Sequence, residues 1–156
     1  MHKVYETSET VNLVFEFLSG GDLKKKVVKR KALSEKCALL IMSKILKGVA
    51  FLHANKIVHR DLKPDNIFLM KEENGLGVKI ADFGLSCRFD AESAVSKIKC
   101  GTPGYMAPEI ISHKQYDEKV DIYSCGVLLY FMYPCCYTNS LGFADRFPLK
   151  EKRAKK

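Results

Sequence analysis

The stretch IVHRDLKPDNIFL, residues 57–69, places a His, an Arg, two Asp, a Lys and an Asn between two apolar ends. The apolar ends, residues 57–58 and 67–69, predict short β-strands that pack into a core. The polar residues between them then form a loop that is fixed at both ends. Such a loop can hold charged side chains in a constant geometry, so this segment is the first candidate for a functional site.

The composition of the chain is that of an ordinary globular domain. Its 156 residues are 47% hydrophobic and 28% charged, which allows one domain with a sizeable core and excludes a wholly disordered chain. The net charge of +8 is compatible with an anionic partner such as nucleic acid, a membrane surface or a phosphorylated ligand. Two Lys/Arg runs, residues 24–31 and 150–156, supply most of this excess, and such runs are usually solvated faces or tails. We therefore expect no nucleic-acid partner.

The cysteines and the N-terminus indicate an intracellular protein. The six cysteines form neither a CxxC pair nor a set with His at zinc spacing, so reduced thiols are expected. The first ten residues, MHKVYETSET, contain no apolar signal core, which argues against secretion. We predict a cytoplasmic location.

One segment resembles a membrane span. Residues 122–144 carry no charge and are followed by Arg146 and Lys150. Pro134 and several polar or small residues interrupt the second half, so only residues 122–133 have a strongly helical and apolar character. A helix of that length suits a buried core better than a bilayer. We expect a core helix, and a membrane span is the less favoured alternative.

The remaining chain predicts helices with few strands. Residues 11–17 predict a strand that pairs with residues 3–7, and Gly20-Gly21 end this unit. Ser34 is a good N-cap for a long helix whose buried face is predicted to contain Leu39, Met42, Ile45, Leu46, Val49 and Leu52. Residues 71–77 predict a turn-rich connection, and residues 78–83 predict another short strand.

The charged loop is followed by two further motifs in a fixed order. Asp61 and Asn66 lie in HRDxxxxN, DFG follows at residues 82–84, and APE follows at residues 107–109. This set is the signature of protein kinases, and the chain resembles the eukaryotic protein kinase family from Val4 to Phe131. The resemblance implies an α+β, protein-kinase-like fold, mainly the helical large lobe with a two-strand remnant of the small lobe.

The resemblance also implies roles for five polar residues. Phosphoryl transfer requires mostly positioning and charge neutralisation around ATP and Mg²⁺. Asp61 would be the general base for the substrate hydroxyl, and Lys63 would contact the transferring phosphate. Asn66 and Asp82 would supply oxygen ligands to Mg²⁺. Thr102 would lie beside Asp61 and Lys63, as in the serine/threonine branch.

The nucleotide cleft is implied by the segment FEFLSGGDL, residues 15–23, which resembles the hinge between the two kinase lobes. Phe15 would be the gatekeeper, and the backbones of Glu16 and Leu18 would face adenine. Asp22 would contact the ribose or a basic substrate residue. Phe68 would pack under the adenine.

Substrate and regulation are predicted less fully. DFGLS and GTPGYMAPEI are closest in wording to the calcium/calmodulin-dependent kinase group, although nothing indicates whether calmodulin binds. Asp22 and Asp65 are placed where related kinases recognise an Arg, so a protein substrate with basic residues near the acceptor is expected.

The activation segment and a buried acid are also matched to the family. Ile98 occupies the usual phosphoacceptor position, so we expect weak dependence on phosphorylation of the activation segment, with Ser93 and Ser96 as the nearest alternatives. Asp121 matches a buried aspartate of the family that holds the charged loop, residues 59–66, through backbone N–H groups. We call this loop the catalytic loop.

The predicted organisation is a partial kinase domain, residues 1–133, followed by a divergent basic tail, residues 134–156. Residues 1–17 would be the small-lobe remnant, and residues 18–133 the hinge and large lobe. The 156 residues contain no Gly-rich phosphate loop and no third-strand lysine before Val4, so we expect a truncated form with little activity by itself. The alternative is a catalytically inactive fragment that acts as a binding or regulatory module.

Overall fold

The fold is described from a computed structural model, which describes residues 2–72, 75–89 and 98–133. The strands are β1 (Lys3–Glu6), β2 (Val11–Val14), β3 (Ile57–Val58), β4 (Ile67–Glu72), β5 (Gly75–Ile80) and β6 (Cys87–Arg88). The helices are α1 (Leu23–Arg30), α2 (Glu35–Ala54), α3 (Pro108–Ile111) and α4 (Lys119–Met132), with one 3₁₀ turn at Pro64–Asn66. The predicted α+β class is confirmed.

The strands form three antiparallel pairs. β1 pairs with β2 as predicted, in a register that sets Lys3 opposite Val14. β4 and β5 form a hairpin in which Ile67 faces Ile80, and β3 pairs with β6. The prediction of a turn-rich connection over residues 71–77 was wrong in extent, because backbone pairing continues to the ends of both strands of the β4–β5 hairpin.

The long helix α2 begins where the sequence predicts. The Ser34 side chain accepts a hydrogen bond from the backbone N–H of Cys37 at 3.4 Å, which caps the helix. Its buried residues are Ala38, Ile41, Met42, Ile45, Val49 and Leu52. The predicted burial of Leu39 and Leu46 was wrong, since these side chains are 52% and 41% exposed. Both lie beside the buried stripe, on a part of the helix that α4 and β5 do not cover.

The core lies between α2, α4 and the β4–β5 hairpin. The backbone N–H of Leu33 donates to the carbonyl of Met132 at 3.0 Å, which joins the start of α2 to the end of α4. A second cluster contains Val58, Tyr116 and Val120 and lies under the loop that follows β3. The two clusters hold that loop on both sides.

Helix α1 was not predicted, because its run of cations was interpreted only as a solvated segment. Leu23 and Val27 are buried and attach the helix to the core, while Asp22 caps it by accepting from the N–H of Lys25 at 2.8 Å. Two apolar residues four apart form a narrow stripe, which the surrounding lysines concealed.

Among the described residues, one helix, α2, is long and apolar enough to cross a bilayer by length and composition. Its buried residues pack in the core of the fold. The segment predicted as a core helix is α4, and its 14 residues are fewer than a span requires. Residues 134–144 and the predicted basic tail lie outside the described residues.

Candidate active site

The loop between β3 and β4 brings three of the predicted catalytic residues together. Lys63 Nζ lies 2.7 Å from Asp61 Oδ2, and the Thr102 hydroxyl donates to Asp61 Oδ1 at 2.7 Å. Lys63 Nζ also donates to Thr102 Oγ1 at 2.9 Å, which closes a triangle. Asp61 is 5% exposed, so its carboxylate is held in a defined direction with little competition from water.

Asn66 fixes the other side of the same carboxylate. Its Nδ2 donates to the backbone carbonyl of Asp61 at 2.9 Å and approaches Asp61 Oδ2 at 3.3 Å. Both contacts of the Asn66 side-chain nitrogen are therefore with Asp61 of the same loop. The amide oxygen can accept a hydrogen bond or coordinate a cation, as the magnesium prediction requires.

His59 supports the loop from inside the core. Its Nδ1 accepts the backbone N–H of Asp61 at 3.3 Å, and its Nε2 lies 3.1 Å from the carbonyl oxygen of Ala81. An acceptor nitrogen carries no proton, so these contacts correspond to a neutral imidazole with the proton on Nε2. Burial lowers the pKa of His59 below its ordinary value, which favours this neutral form. The ring also packs edge-on against Phe83, with centroids 5.0 Å apart.

Asp121 anchors the start of the loop from α4. This fully buried carboxylate accepts the backbone N–H groups of His59 at 2.8 Å and Arg60 at 2.9 Å. Such a contact with a charged acceptor is stronger than a neutral hydrogen bond. The contact between Asp121 and His53 Nε2, at 2.9 Å, was not predicted from the sequence. The HA pair in FLHAN, at the end of α2, carried no motif that could have indicated it.

Asp82 follows β5 and is directed by the strand pairing. The backbone N–H of Ala81 donates to the carbonyl of Asn66 at 2.9 Å, so the ends of β4 and β5 carry Asn66 and Asp82 to the same edge. Asp82 is exposed and has φ of 62°, an uncommon conformation for a residue other than Gly. Its Oδ1 accepts the N–H of Gly84 at 3.2 Å.

This edge can hold Mg²⁺ only with help from a substrate. The described residues contain no group of three or more His, Cys, Asp or Glu side chains that could bind a metal. Mg²⁺ is commonly bound by one or two carboxylates together with phosphates and water. The carboxylate of Asp82 and the amide oxygen of Asn66 therefore fit the ion as ligands that complete their shell with phosphate oxygens.

The hinge residues lie on a backbone that is close to β4. A Cβ atom at Gly20 would overlap the Leu69 carbonyl oxygen, and the backbone N–H of Leu69 donates to the Gly21 carbonyl at 2.9 Å. Leu18 is half-buried in this approach. The exposed Glu16 carboxylate accepts from Lys79 Nζ at 2.6 Å, a contact that the sequence did not predict.

Phe68 and the predicted gatekeeper differ in burial. Phe68 is half-buried on β4 and forms an isolated backbone bridge with Asp22. Phe15 is 60% exposed. The structure thus places Asp22 and Phe68 together at the base of the hinge, beside the catalytic loop.

Both carboxylates that were predicted to recognise a basic substrate are bonded to lysines of α1. Lys24 Nζ lies 2.7 Å from Asp65 Oδ1, and Lys25 Nζ lies 2.9 Å from Asp22 Oδ2. Neither ion pair was expected from the sequence. The signal that could have indicated them is the lysine run that starts two residues after Asp22.

The activation segment is joined to the catalytic loop through a tyrosine hydroxyl. Arg60 Nε donates to the Leu85 carbonyl at 2.6 Å, and Arg60 Nη1 donates to the Tyr116 hydroxyl at 3.3 Å. Tyr116, which is 5% exposed, in turn donates to the Ile98 carbonyl at 2.8 Å. Gly101 has φ of 116° and leaves no room for a Cβ next to the Arg60 carbonyl. Ser93 and Ser96 lie outside the described residues.

Two cavities among the described residues lie away from the predicted catalytic and nucleotide-binding side chains. One has a volume of about 480 Å³ and lies on α2 between Leu39 and Ala50. The other, of about 230 Å³, lies between the end of α2 and β3. Neither is lined by a predicted catalytic or nucleotide-binding residue, so the site is defined by its polar contacts and not by cavity size.

Comparison with known proteins agrees with these motifs. A family model described as the protein kinase domain matches residues 1–140. Myosin light chain kinase A of Dictyostelium discoideum is 42% identical over 132 residues, which are 85% of this chain and 44% of that protein. The phosphorylase b kinase gamma catalytic chain, liver/testis isoform, of Mus musculus is 43% identical over 81% of this chain and 32% of its own length.

A third relative covers more of the chain. The ovarian-specific serine/threonine-protein kinase Lok of Drosophila melanogaster is 38% identical over 150 residues, which are 94% of this chain and 30% of that protein. The chain spans less than half the length of each of these three relatives. The family model nevertheless covers nearly all of the chain, and the motifs lie where that family has them. This chain therefore belongs to the protein kinase family.

Proposed function

We propose that this chain supplies the hinge and large lobe of a protein serine/threonine kinase, which transfers the γ-phosphoryl group of ATP to a Ser or Thr hydroxyl. The observation that carries the proposal is the triangle of Asp61, Lys63 and Thr102, with the three side chains 2.7 to 2.9 Å apart. A carboxylate held this way is a base in a constant position. The relatives include one named as a serine/threonine-protein kinase.

The reaction requires one proton acceptor and one phosphate contact from the chain. The substrate hydroxyl oxygen forms a bond to the γ-phosphorus, and the bond from that phosphorus to the oxygen bridging the β-phosphate breaks, so ADP leaves. The hydroxyl proton passes to Asp61, whose oxygens retain acceptor capacity beside Lys63 and Thr102. The Lys63 ammonium lies beside Asp61 and Thr102, where the phosphoryl group is transferred, and it offsets the negative charge of that group.

The nucleotide and metal sites are proposed on the resemblance together with the local geometry. The kinase family generally uses ATP and Mg²⁺, and the ion neutralises phosphate charge when bound. Asn66 and Asp82 would hold Mg²⁺ at the edge of the β4–β5 hairpin. The backbones of Glu16 and Leu18, with Asp22 and Phe68, would hold the nucleoside.

The substrate is proposed to be a protein. The preference for basic residues near the acceptor stays a prediction, and it requires a substrate cation to displace Lys24 from Asp65 or Lys25 from Asp22. We also propose a cytoplasmic location, on the basis of a cysteine pattern that is typical of reduced thiols.

The test is a phosphotransfer assay that compares Asp61→Asn with the unchanged protein. Both would be assayed as residues 1–156 and as a fusion in which a relative's kinase small lobe precedes Val4, with Ser, Thr and Tyr peptides and Mg²⁺-ATP. We expect transfer to Ser and Thr peptides in the fusion and a loss of roughly 10²- to 10⁴-fold in Asp61→Asn. Asp117→Asn, an acid outside the site, is the control and should retain activity.

The alternative is a binding or regulatory module, and one observation favours it. The β1–β2 hairpin exposes large apolar side chains, among them Val11 at 60% and Leu13 at 52%. Equal background in the fusion and in its Asp61→Asn variant, with folding intact, would favour this alternative over catalysis.

A further inference from the structure

Helix α1 concentrates positive charge on one short element. Of its eight residues and its C-cap, six are cations: Lys24, Lys25, Lys26, Lys29, Arg30 and Lys31. All are exposed except Lys26, which is half-buried. Leu23 and Val27 pack the helix against the core. The backbone that carries these cations therefore has a fixed position and is not a free tail.

The helix lies directly beside the catalytic loop. Its N-cap, Asp22, forms a backbone bridge with Phe68, and the preceding Gly21 carbonyl accepts from the N–H of Leu69 at 2.9 Å. Lys24 reaches across to Asp65, which lies in the 3₁₀ turn between Lys63 and Asn66. A peptide whose hydroxyl reaches Asp61 therefore passes close to α1.

The carboxylates on this side of the loop are already paired. The hydrogen bond with Asp65 raises the pKa of Lys24, which keeps that lysine charged. Although burial acts to raise it, hydrogen bonds from Lys25 hold the pKa of Asp22 below its ordinary value. Asp22 and Asp65 thus face two lysines, and four further cations on α1 and its cap have no acid on the same helix.

The cations in the first turn of α1 oppose helix stability, although the Asp22 cap and the last-turn cations Lys29 and Arg30 favour it. Lys24, Lys25 and Lys26 occupy the first turn, where the helix dipole favours acids, and no acid lies in that turn. Lys25 and Lys29 are also like charges four residues apart, which is unfavourable. A local arrangement that weakens its own element is expected where function requires it.

We propose that α1 makes the surface beside the catalytic loop selective for acidic protein segments, which carry Asp, Glu or phosphorylated side chains near the phosphoacceptor. The proposal rests on the proposed kinase function, and it is the opposite of the preference predicted from Asp22 and Asp65 alone. An exposed ion pair such as Lys24–Asp65 is weak, so an acidic side chain can take Lys24 from Asp65. A basic substrate side chain that displaced one lysine from its acid would still be repelled by the other cations of α1.

The test measures peptide binding and does not depend on catalysis. Fluorescently labelled peptides of equal length, with Glu, phosphoserine, Arg or Gln at matched positions around one Ser, would be titrated with residues 1–156 at low and physiological salt. We expect the Glu and phosphoserine peptides to bind roughly three- to tenfold more tightly than the Gln peptide, with the difference reduced by salt. The two acidic peptides separate carboxylate from phosphate as the source of the charge.

Two variants should shift this binding in opposite directions. Lys24→Glu should weaken binding of the acidic peptides and strengthen binding of the Arg peptide. Asp65→Asn should strengthen binding of the acidic peptides, because it releases Lys24, and a general loss of folding would not produce that gain. Lys119→Glu is the matched control, because Lys119 is an exposed lysine paired with Asp117 at 2.8 Å on another helix.

The outcomes separate this proposal from others. Tighter binding of the Arg peptide, or an equal effect of Lys24→Glu and Lys119→Glu, would overturn it. Equal displacement of the acidic peptide by heparin and by anionic vesicles, with no response to Asp65→Asn, would indicate nonspecific polyanion binding and would also overturn it. A normal binding preference without phosphotransfer in the small-lobe fusion would count against the kinase function alone.

Discussion

His59 lies at the start of the catalytic loop, and both of its ring nitrogens have partners. Nδ1 accepts from the backbone of Asp61, and Nε2 faces the carbonyl of Ala81 at the end of β5. Protonation of Nδ1 would replace an acceptor with a second donor and break the contact with Asp61. The buried imidazole therefore links the protonation state of one residue to the position of the proposed base.

Because of this link, we predict a pH dependence of stability. The pKa of His59 in the fold lies below 6.5, so the folded protein binds fewer protons than the unfolded chain as the pH falls past that value. The stabilisation is complete above pH 6.5 and is lost as the pH falls toward the folded pKa, by at most about 1.4 kcal/mol per pH unit.

The measurement is the free energy of unfolding in urea between pH 7.5 and pH 5. His59→Gln, which does not titrate, should flatten this dependence even if it lowers stability at every pH. His113→Gln, at an exposed position, should leave the slope unchanged. An identical slope in His59→Gln and the unchanged protein would contradict the prediction.

At the scale of elements, the effect of a Gly→Ala substitution on stability depends on the backbone position, and two glycines illustrate this. Gly20 lies where the chain approaches β4, and a Cβ there would overlap the Leu69 carbonyl oxygen. Gly126 lies in α4, where a Cβ would meet nothing within 4 Å. We predict that Gly126→Ala stabilises the protein by about 0.5 to 1 kcal/mol, because Ala has the higher helix propensity.

Gly20→Ala should instead destabilise by about 1 to 3 kcal/mol, since the hinge must move away from β4. Urea unfolding measures both changes, and each variant serves as the control for the other. Stabilisation of the protein by Gly20→Ala would show that the close approach to β4 is not a constraint.

The Tyr116 hydroxyl is one of the groups that link the activation segment to the catalytic loop. Tyr116 connects Arg60 of the catalytic loop to the Ile98 carbonyl, because its hydroxyl accepts from Arg60 Nη1 and donates to that carbonyl. Tyr116→Phe should cost about 0.5 to 1.5 kcal/mol and should increase amide hydrogen exchange around residues 99–105. Tyr5→Phe, which removes a hydroxyl from an exposed ring, is the control. Unchanged amide hydrogen exchange in Tyr116→Phe would contradict the prediction that the Tyr116 hydroxyl holds the activation segment.

The elements differ in how well the sequence predicted them. Ser34 and the regular apolar spacing predicted α2, because an N-cap and a 3.6-residue period are local signals. Leu39 and Leu46 fit the same period and are exposed, since burial depends on which faces α4 and β5 cover. Helix α1 gave almost no signal, because only Leu23 and Val27 of its eight residues are buried.

At the scale of the whole molecule, motif order predicted which residues meet, and the contacts with non-motif residues were missed. Asp61, Lys63 and Thr102 were expected together and lie together. The partners of the acids, such as His53 for Asp121 and Lys24 for Asp65, are 68 and 41 residues away along the chain. Pairings at such separations depend on how elements pack, and neither composition nor spacing encodes them directly.

The β1–β2 hairpin is joined to the rest of the described fold through the hinge, residues 15–22. The hairpin is exposed along both strands, and a two-stranded hairpin is only marginally stable in water. Two residues after β2, in the hinge, Glu16 forms an ion pair with Lys79 of β5. Both partners are more than 40% exposed, so the pair should contribute little to global stability.

We therefore predict that Lys79→Gln changes hinge dynamics more than stability. The free energy of unfolding in urea should fall by less than about 1 kcal/mol, because the pair is exposed. Amide hydrogen exchange of residues 3–14 should nevertheless become faster, since the hairpin loses its link to β5 while the core between α2 and α4 stays intact. Lys119→Gln, which removes the ion pair between Asp117 and the exposed Lys119 at the start of α4, should leave exchange in the hairpin unchanged. A large fall in global stability with unchanged hairpin exchange would place Lys79 in the core of the large lobe and not at the hinge.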